Sequence, residues 1–278
     1  MTAAFESTAG PPLSDRDFEW LRQAANRHSG IQLPPGKRNM IQSRLAKRLR
    51  KLGLEDFAAY RQLLERGNDA EFGEFINCLT TNVTSFFREP HHFEHLRKVA
   101  LPEKTAGGRP RIWSAGCSTG EEPYSITATV LDWAAEARPG LDFRLQATDL
   151  DTNVLDKARG GVYPEERVGE LDLAWKRRWL YRGAGGFAGQ VKVKPALQAP
   201  IEFKQWNLVR PWTVPEPFGI VFCRNVVIYF DKATQKTLFD RFANAMEPGG
   251  FLYIGHSETL FQVSDRFRVV DKTTYQKK

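Results

Sequence analysis

The sequence has few cysteines and no long apolar run, and these absences exclude several classes of protein. Its 278 residues include only three cysteines, Cys78, Cys117 and Cys223, with no Cys-x-x-Cys pair. So sparse a set argues against a secreted disulfide scaffold and fits a reducing cytoplasm. No run approaches ~18 apolar residues, so no membrane span is predicted. The opening MTAAFESTAGPP lacks the apolar core of a signal peptide. We therefore expect a cytoplasmic protein without direct membrane insertion.

The composition is that of an ordinary globular protein, but its positive charge is concentrated. Hydrophobic residues make up 41% of the chain and charged residues 26%, which excludes a wholly disordered chain. The net charge is +7, and residues 36–54 contain no acid and the following cations: Lys37, Arg38, Arg44, Lys47, Arg48, Arg50 and Lys51. Such a segment fits an acidic partner, although a solvated helix face has the same pattern.

Helical patterns fill the first part of the chain. Ser14 precedes apolar residues at helical spacing and is a candidate N-cap. The apolar positions of the next predicted helix are Ile41, Leu45, Leu49 and Leu52. Gly53 is its expected C-cap. Further helices are predicted at about 55–66 and 69–80, and no strand signal appears before residue 110. We predict a disordered tail at 1–12, a helical domain at 13–80 and a linker at 81–108.

From residue 109 onward, strand patterns alternate with helical ones. The predicted strands are RIWSAG, FRLQATD, IEFKQWNL, FGIVFCRN and GFLYIGH, followed by one strand-like segment, FRVVDKTTYQKK. This alternation predicts an α/β fold over 109–278 with a parallel sheet covered on both faces. Residues 163–200 interrupt it with RRWLYRG and GQVKVK around a glycine-rich turn, which indicates a small antiparallel insertion.

The first predicted strand runs into a glycine turn that is typical of a nucleotide-type site. The turn from Gly116 to Gly120 precedes a helix, but it lacks the dinucleotide fingerprint and the Walker lysine. Glu121 and Glu122 follow directly and would repel a pyrophosphate, whereas they suit an amine or a sulfonium. Asp149 ends the second strand, where α/β folds place the acid that binds ribose hydroxyls, although it could also cap a helix. Together these features favour S-adenosylmethionine (SAM) over NAD.

Five segments then make the pattern specific. They are TTNVTSFFREPHHF (80–93), WSAGCSTGEEPYS (113–125), ATDLDTNVL (147–155), FCRNVVIYFD (222–231) and the GHSE stretch after a Pro-Gly-Gly turn (248–258). Their set and order closely resemble the CheR family of chemotaxis receptor glutamate O-methyltransferases, over residues 14–278. The resemblance implies a Rossmann-like class I SAM-dependent methyltransferase sheet with an N-terminal all-helical domain. It further implies methyl transfer from SAM to chemoreceptor glutamates, with S-adenosyl-L-homocysteine (SAH) as the product.

The resemblance also implies which residues contact the cofactor. Carried over motif by motif, they are Asn82, Thr84, Arg88, Glu121, Asp149, Asn207, Leu208, Asn225 and Val226, with Glu122 as the less favoured acid. Cys117 stands where many family members have a smaller residue, and we expect a tolerated change without a catalytic thiol.

The chemistry needs little from the protein besides placement. A glutamate carboxylate is already ionised at neutral pH, since its pKa is near ~4.3, and the sulfonium methyl is already activated. Neither a general base nor a metal is therefore required. Arg88, Asn225 and Tyr229 are candidate catalytic orienting groups, although Tyr229 could equally be a core aromatic. His91 and His95 have zinc-ligand spacing but no evident third ligand, so we predict no metal.

Two regions are candidates for contact with a receptor. The basic helix, through Arg44, Lys47, Arg48 and Arg50, would complement a receptor helix that presents glutamates. The turn at Gly183, Gly185 and Gly189 resembles that of family members that bind a pentapeptide at the receptor C-terminus. Strand addition to the hairpin would explain such binding, although the glycines could also serve an ordinary hairpin. The family suggests a monomer.

Two other functions stay open at this point. The basic helix and high pI would suit a nucleic-acid methyltransferase. However, the expected Asn/Asp-Pro-Pro-Tyr/Phe segment is replaced by Arg224-Asn225-Val226-Val227, and few aromatics accompany the cations, so no nucleic-acid partner is predicted. A SAM-binding regulator without turnover is the second alternative, and the complete set of ligand positions argues against it.

Overall fold

The computed structural model describes residues 10–278, which divide into two units between Thr81 and Asn82. Residues 1–9 of the predicted tail lie outside the described residues. Pro11 belongs to the described part, and its carbonyl accepts a hydrogen bond from Gln42 Nε2 at 3.1 Å. Within the described range, we find no helix both long and apolar enough to span a bilayer.

The first unit is helical, as predicted. Its described α-helices are α1 (Asp15–Ser29), α2 (Arg38–Leu52), α3 (Phe57–Glu65) and α4 (Asp69–Leu79). Ser14 caps α1, because its side chain accepts a hydrogen bond from the Asp17 N–H at 3.1 Å. Gly53 ends α2 in the left-handed conformation, with φ 68°. Both caps were expected from the sequence. The predicted apolar positions of α2 are fully buried except Leu52, which is 36% exposed at the end of the helix.

A buried ion pair joins α2 to α4. Arg48 donates to both oxygens of Glu71, at 3.0 and 2.5 Å, and to Glu74 at 2.9 Å. Tyr60 adds a hydroxyl hydrogen bond to Glu71 at 2.9 Å, and burial raises the pKa of this tyrosine. Since Glu71 is only 5% exposed, these donors stabilise its negative charge in place of water.

The second unit contains two sheets. The strands are β1 (Arg111–Ala115), β2 (Arg144–Asp149), β3 (Val162–Pro164), β4 (Leu180–Arg182), β5 (Gln190–Val193), β6 (Ile201–Gln205), β7 (Phe218–Cys223), β8 (Met246–Ile254), β9 (Phe267–Asp271) and β10 (Thr274–Lys277). The helices are α5 (His91–His95), α6 (Leu101–Thr105), α7 (Glu121–Ala137), α8 (Thr152–Gly160), α9 (Leu173–Trp179), α10 (Pro195–Gln198) and α11 (Lys232–Ala245), with a π turn (Leu96–Ala100) between α5 and α6.

The large sheet has the order β6-β2-β1-β7-β8-β10-β9. Its first five strands, β6, β2, β1, β7 and β8, are parallel, and β10 and β9 are antiparallel to their neighbours. All residues of β7 are buried, which is why this strand reads as a continuous apolar run. The predicted α/β fold is therefore confirmed. The final strand-like segment is instead a hairpin, because the chain reverses at Thr273, where φ is 48°. No glycine, proline or asparagine marks this turn in the sequence, so the pattern did not reveal it.

The predicted antiparallel insertion is confirmed as a second sheet of order β3-β5-β4. Val191 and Val193 of β5 are buried, and both belong to a hydrophobic cluster that includes Tyr124 of α7. Gly183 follows β4 and has no room for a side chain, because a Cβ there would collide with the Phe187 carbonyl. The glycine at this position is thus required by close approach of the backbone.

We predict that Arg48→Ala lowers the free energy of unfolding of the protein by about 3 kcal/mol, because it leaves Glu71 buried without its cation. Urea denaturation followed by circular dichroism measures this loss. Lys47→Ala, on the exposed side of the same helix, is the matched control and should change stability by less than about 0.5 kcal/mol. Equal stability of both variants would contradict the structural role of the ion pair.

Candidate cofactor site

The glycine turn between β1 and α7 is shaped by close contacts. Gly116 and Gly120 have φ values of 92° and 99°, which favour glycine. A Cβ on Gly116 would collide with Val226, and one on Gly120 would lie 2.9 Å from the Ala158 Cβ. The Gly116 N–H donates to the Thr148 carbonyl at 2.8 Å, which holds the turn against the end of β2. The turn therefore keeps one conformation with its backbone close to Val226.

Asp149 lies at the end of β2, beside this turn. Its Oδ2 accepts the Ser118 N–H at 2.8 Å, and its Oδ1 accepts the Asp151 N–H at 3.0 Å. The cap of α8 is Asp151, whose carboxylate accepts the Asn153 N–H at 2.8 Å, so Asp149 does not serve as the helix cap. Burial raises the pKa of Asp149 to about 6, against the lowering effect of these backbone donors. Each oxygen keeps acceptor capacity for a hydroxyl group.

The segment that opens the second unit contacts the same turn. The Asn82 side chain donates to Asp151 Oδ2 at 2.8 Å, and the Asn82 carbonyl accepts the Ser118 hydroxyl at 3.1 Å. The Thr84 carbonyl accepts the Arg167 guanidinium at 3.0 Å, and that guanidinium lies 3.7 Å from Glu121. The structure thus brings together Asn82, Thr84, Glu121 and the Asp149 neighbourhood.

The two acids after the glycine turn have different partners. The Glu121 carboxylate accepts the Thr119 hydroxyl at 2.6 Å, and burial raises its pKa. Glu122 accepts the Ser114 hydroxyl at 2.7 Å and forms a salt bridge with Arg224 at 3.1 Å. Glu122 is paired with the buried Arg224, whereas the nearest cation to Glu121 is the exposed Arg167 at 3.7 Å. Glu121 is therefore the better candidate of the two for a ligand.

Arg224 connects the end of β7 to the segment that contains Arg88. Its guanidinium lies 3.4 Å from Glu89 and donates to the Arg88 carbonyl. Arg88 itself is half-buried and donates to the Val83 carbonyl at 3.1 Å. The predicted orienting residue Arg88 is therefore held through its main chain by the strand-end arginine.

Two of the predicted cofactor contacts, Asn207 and Leu208, follow β6. The Trp206 N–H donates to the Asp149 carbonyl at 2.9 Å, which places Asn207 next to the end of β2. Leu208 is 8% exposed and packs in the core, and its carbonyl accepts the Trp212 indole N–H at 3.0 Å. Arg241 of α11 donates to the carbonyls of residues 208–210 at distances between 2.7 and 3.3 Å, which fixes this loop.

Asn225 and Val226 lie where β7 ends. Asn225 has φ 58°, an uncommon conformation for a residue with a side chain, and Val226 adjoins Gly116. Tyr229 is half-buried, and its N–H donates to the Val226 carbonyl at 3.3 Å. Glu258 accepts several N–H groups of this turn. It lies in the GHSE segment, yet the sequence pattern did not suggest its role.

One cluster of potential metal ligands is present among the described residues, and an internal cation competes with it. Ligand atoms of Glu89, His91 and His92 lie within 4.8 Å of one another. However, the Arg224 guanidinium already lies 3.4 Å from Glu89 Oε2, and a second cation there would be repelled. His95, the other residue with zinc-ligand spacing, contacts the Tyr253 hydroxyl at 2.9 Å. The Cys117 thiol is buried, which raises its pKa and disfavours a nucleophilic role.

The predicted receptor contacts fall into two groups. Lys47 and Arg50 are exposed on α2, whereas Arg48 pairs with Glu71, and Arg44 donates to the carbonyls of Cys78, Leu79 and Thr80 at the end of α4. Gly183, Gly185 and Gly189 surround the turn between β4 and β5, where Gly185 and Gly189 have φ values of 58° and 80°. The exposed cations are thus fewer than the sequence pattern indicated.

Both units of the chain match known protein families. Residues 82–276 match a family described as CheR methyltransferase, SAM binding domain, and residues 16–80 match CheR methyltransferase, all-alpha domain. A chemotaxis protein methyltransferase of Escherichia coli is 43% identical, covering 95% of this chain and 91% of the relative. Chemotaxis protein methyltransferase 2 of Pseudomonas aeruginosa is 42% identical, covering 93% of this chain and 92% of the relative.

We expect Asp149→Ala to weaken SAH binding by about 10- to 100-fold, since hydrogen bonds to a charged acceptor are worth roughly 1.5–3 kcal/mol. Isothermal titration calorimetry measures the change, and Asp156→Ala, an exposed acid on α8, is the control. Because the pKa of Asp149 is about 6, protonation should weaken binding to the wild type by about 10-fold from pH 7.5 to pH 5. Unchanged affinity in Asp149→Ala would remove Asp149 from the site.

Proposed function

Since the chain belongs to the CheR methyltransferase family, we propose that it transfers the methyl group of SAM to glutamate side chains of chemoreceptors, giving glutamyl 5-O-methyl esters. One observation carries this proposal. The chain is 42–43% identical to proteins named chemotaxis protein methyltransferases, and the similarity extends over more than nine-tenths of both lengths. Both units match domains of this family, and SAM is the cofactor, with SAH as the product.

The reaction forms a carboxylate oxygen–carbon bond and breaks the carbon–sulfur bond of the sulfonium, whose electron pair stays on sulfur. The glutamate carboxylate is ionised at neutral pH, so no proton has to be removed. Opposite charges neutralise each other as the methyl group moves. A dry site therefore favours the transition state over the hydrated ions, and the protein has to align three atoms and exclude water.

Arg88, Asn225 and Tyr229 are the proposed orienting groups. Arg88 supplies a cation that can steer the substrate carboxylate, and its main chain is held by Arg224. Asn225 and Tyr229 belong to one turn at the carboxyl end of β7, which is where ligands bind in open α/β sheets. These three residues would thus contact the reacting groups, while Asp149 holds the ribose.

The exposed cations of α2 would contact the receptor. Lys47, Arg50 and Lys51 are exposed, and a receptor helix that presents several glutamates is complementary to them. Arg44 and Arg48 serve the interior of the first unit, so their removal would test stability as much as binding. We propose the cytoplasmic part of the receptor as the partner, which places the enzyme in the cytoplasm, where it would act as a monomer.

The small sheet has two edges, and one of them suits the addition of a peptide strand better. On β3, the Gly161 carbonyl accepts the Val193 N–H and the Glu165 N–H donates to the Gly189 carbonyl, so the alternation of the strand turns the backbone of Pro164 outward. Proline has no N–H, so a peptide strand added at this edge would lack one main-chain hydrogen bond. On β4, Trp179 and Gly183 hydrogen-bond to the β5 side, which turns the N–H and carbonyl of Arg182 outward. We propose that a receptor C-terminal pentapeptide pairs with β4.

The nearby side chains suit an acidic or aromatic peptide. Tyr181 and Lys192 are paired across β4 and β5, and both are exposed. Lys194 lies 5.4 Å from the centre of the Tyr181 ring, and Phe187 at the neighbouring turn is 70% exposed. A peptide tethered to the receptor by a flexible linker would raise the effective enzyme concentration to roughly the mM range.

A methyl-transfer assay with tritiated SAM tests the reaction directly. We expect base-labile methyl esters on receptor cytoplasmic fragments and none on tRNA or DNA. Label on nucleic acid would favour a nucleic-acid methyltransferase, and SAM binding without transfer to any substrate would favour a regulator.

In the same assay, the double variant Lys47→Glu/Arg50→Glu should lower the rate of receptor methylation about 10-fold at low salt and less at high salt, while SAH binding is unchanged.

The matched control is Lys232→Glu/Lys236→Glu, which makes the same change in charge on exposed positions of α11. Its receptor methylation should stay near the wild-type rate. If the two double variants are equally active, the exposed cations of α2 are only a solvated surface.

Arg182→Pro should abolish pentapeptide binding, because it removes the outward N–H while the hydrogen bonds between β4 and β5 are kept. Arg182→Ala keeps that N–H and removes the cation, so it should weaken binding by no more than about 10-fold. Calorimetry with a receptor C-terminal pentapeptide measures both, against micromolar binding by the wild type. Micromolar binding by Arg182→Pro would exclude strand addition at β4.

A further inference from the structure

The turn that follows β7 has an unusual backbone and several N–H groups that no strand or helix uses. Asn225 has φ 58°, in the left-handed region that favours glycine. Val227–Tyr229 then form a single 3-10 turn, whose first N–H groups have no acceptor within the turn. Something outside the turn has to satisfy these donors, and it also has to keep Asn225 in its left-handed conformation.

Glu258 satisfies them with one carboxylate. Its Oε2 accepts the N–H of Asn225 at 3.0 Å and that of Gly255 at 2.6 Å. Its Oε1 accepts the N–H of Val227 at 3.0 Å and that of Ile228 at 3.3 Å. All four donors are main-chain amides, on both sides of the carboxylate. Glu258 is 6% exposed, and its burial raises the pKa while the four amides lower it.

Neighbouring contacts leave this turn little freedom. A Cβ on Gly255 would collide with the Asn225 side chain, and one on Gly116 would collide with Val226. Asn225 and Val226 are therefore packed between the end of β8 and the glycine turn after β1. Movement of the Asn225 backbone would change where its side chain points in the proposed methyl-transfer site.

We propose that Glu258 is a positioning residue for methyl transfer, acting through Asn225. The carboxylate holds the left-handed backbone at Asn225, so that the side chain stays aligned with the reacting methyl group. This inference rests on the proposed function. It assigns a role to the acid of the GHSE segment, whose carboxylate accepts four main-chain amides.

A double-mutant cycle tests the connection between the two residues. Glu258→Gln keeps the shape of the side chain but directs an NH₂ group at backbone N–H donors. Asn225→Gly removes the side chain but keeps a residue that adopts positive φ readily. Each change should lower kcat by about 10- to 100-fold, the usual consequence of a small misplacement. If Glu258 acts through Asn225, the double variant should be within about 3-fold of the slower single variant.

Calorimetry with SAH accompanies the kinetics, and Glu258→Gln should retain SAH binding within about 10-fold, so that kcat falls more than affinity does. Phe239→Leu, a fully buried core substitution on α11, is the control for general destabilisation. It should lower the melting temperature and keep kcat within about 2-fold while the protein is folded. If Glu258→Gln does not fold, Glu258→Asp replaces it in the same cycle, since its shorter side chain cannot reach all four amides.

Two results would overturn the proposal: a wild-type kcat in Glu258→Gln, or rate losses that multiply in the double variant. Amide hydrogen exchange of residues 224–230 gives a readout that does not need the reaction. Exchange there should be at least about 10-fold faster in Glu258→Gln than in the wild type, and unchanged exchange contradicts the positioning role. If the wild type methylates no receptor fragment, the proposed function fails, and this exchange measurement still decides the role of Glu258.

Discussion

Arg224 lies almost fully buried between two carboxylates, and the arrangement of the second unit depends on this contact. The guanidinium is 3.1 Å from Glu122 and 3.4 Å from Glu89, with a side-chain exposure of 2%. A buried cation without partners costs several kcal/mol, so its counterions have to be present together when the unit folds. Those counterions come from the start of α7 and from the segment before α5. One charge at the end of β7 thereby connects three parts of the chain that are far apart in sequence.

The neighbours of these three ionic residues are the proposed ligand contacts. Arg88 precedes Glu89, Glu121 precedes Glu122 and Asn225 follows Arg224. The buried charges therefore fix the backbone at these positions, and the proposed ligand contacts are separate residues beside them. Such a separation lets the ionic network specify geometry while the reaction itself uses a carboxylate that is already ionised.

Elements with a strong local pattern were predictable from the sequence, and contacts between distant side chains were not. Apolar spacing predicted α2, and alternation with helices predicted the parallel sheet. The same reasoning treated Arg48 as part of an open basic surface, because a paired and a solvated arginine have the same helical spacing. It also left open whether Asp149 caps α8, a role that belongs to Asp151, two residues later. The acceptor role of Glu258 depends on main-chain amides about 30 residues earlier in the chain, which no local pattern places beside it.

Part of the positive charge of the chain serves contacts within the protein. That part is therefore no evidence for an acidic partner. Arg44 binds the carbonyls at the end of α4, and Arg241 binds those of residues 208–210. Arg48 and Arg224 neutralise buried glutamates. These four guanidinium groups contribute to the net charge of +7 but are matched by internal acceptors. The excess that remains exposed on α2 is small and local. It resembles a surface for an acidic helix more than the extended basic surface with stacked aromatics that nucleic-acid binding requires.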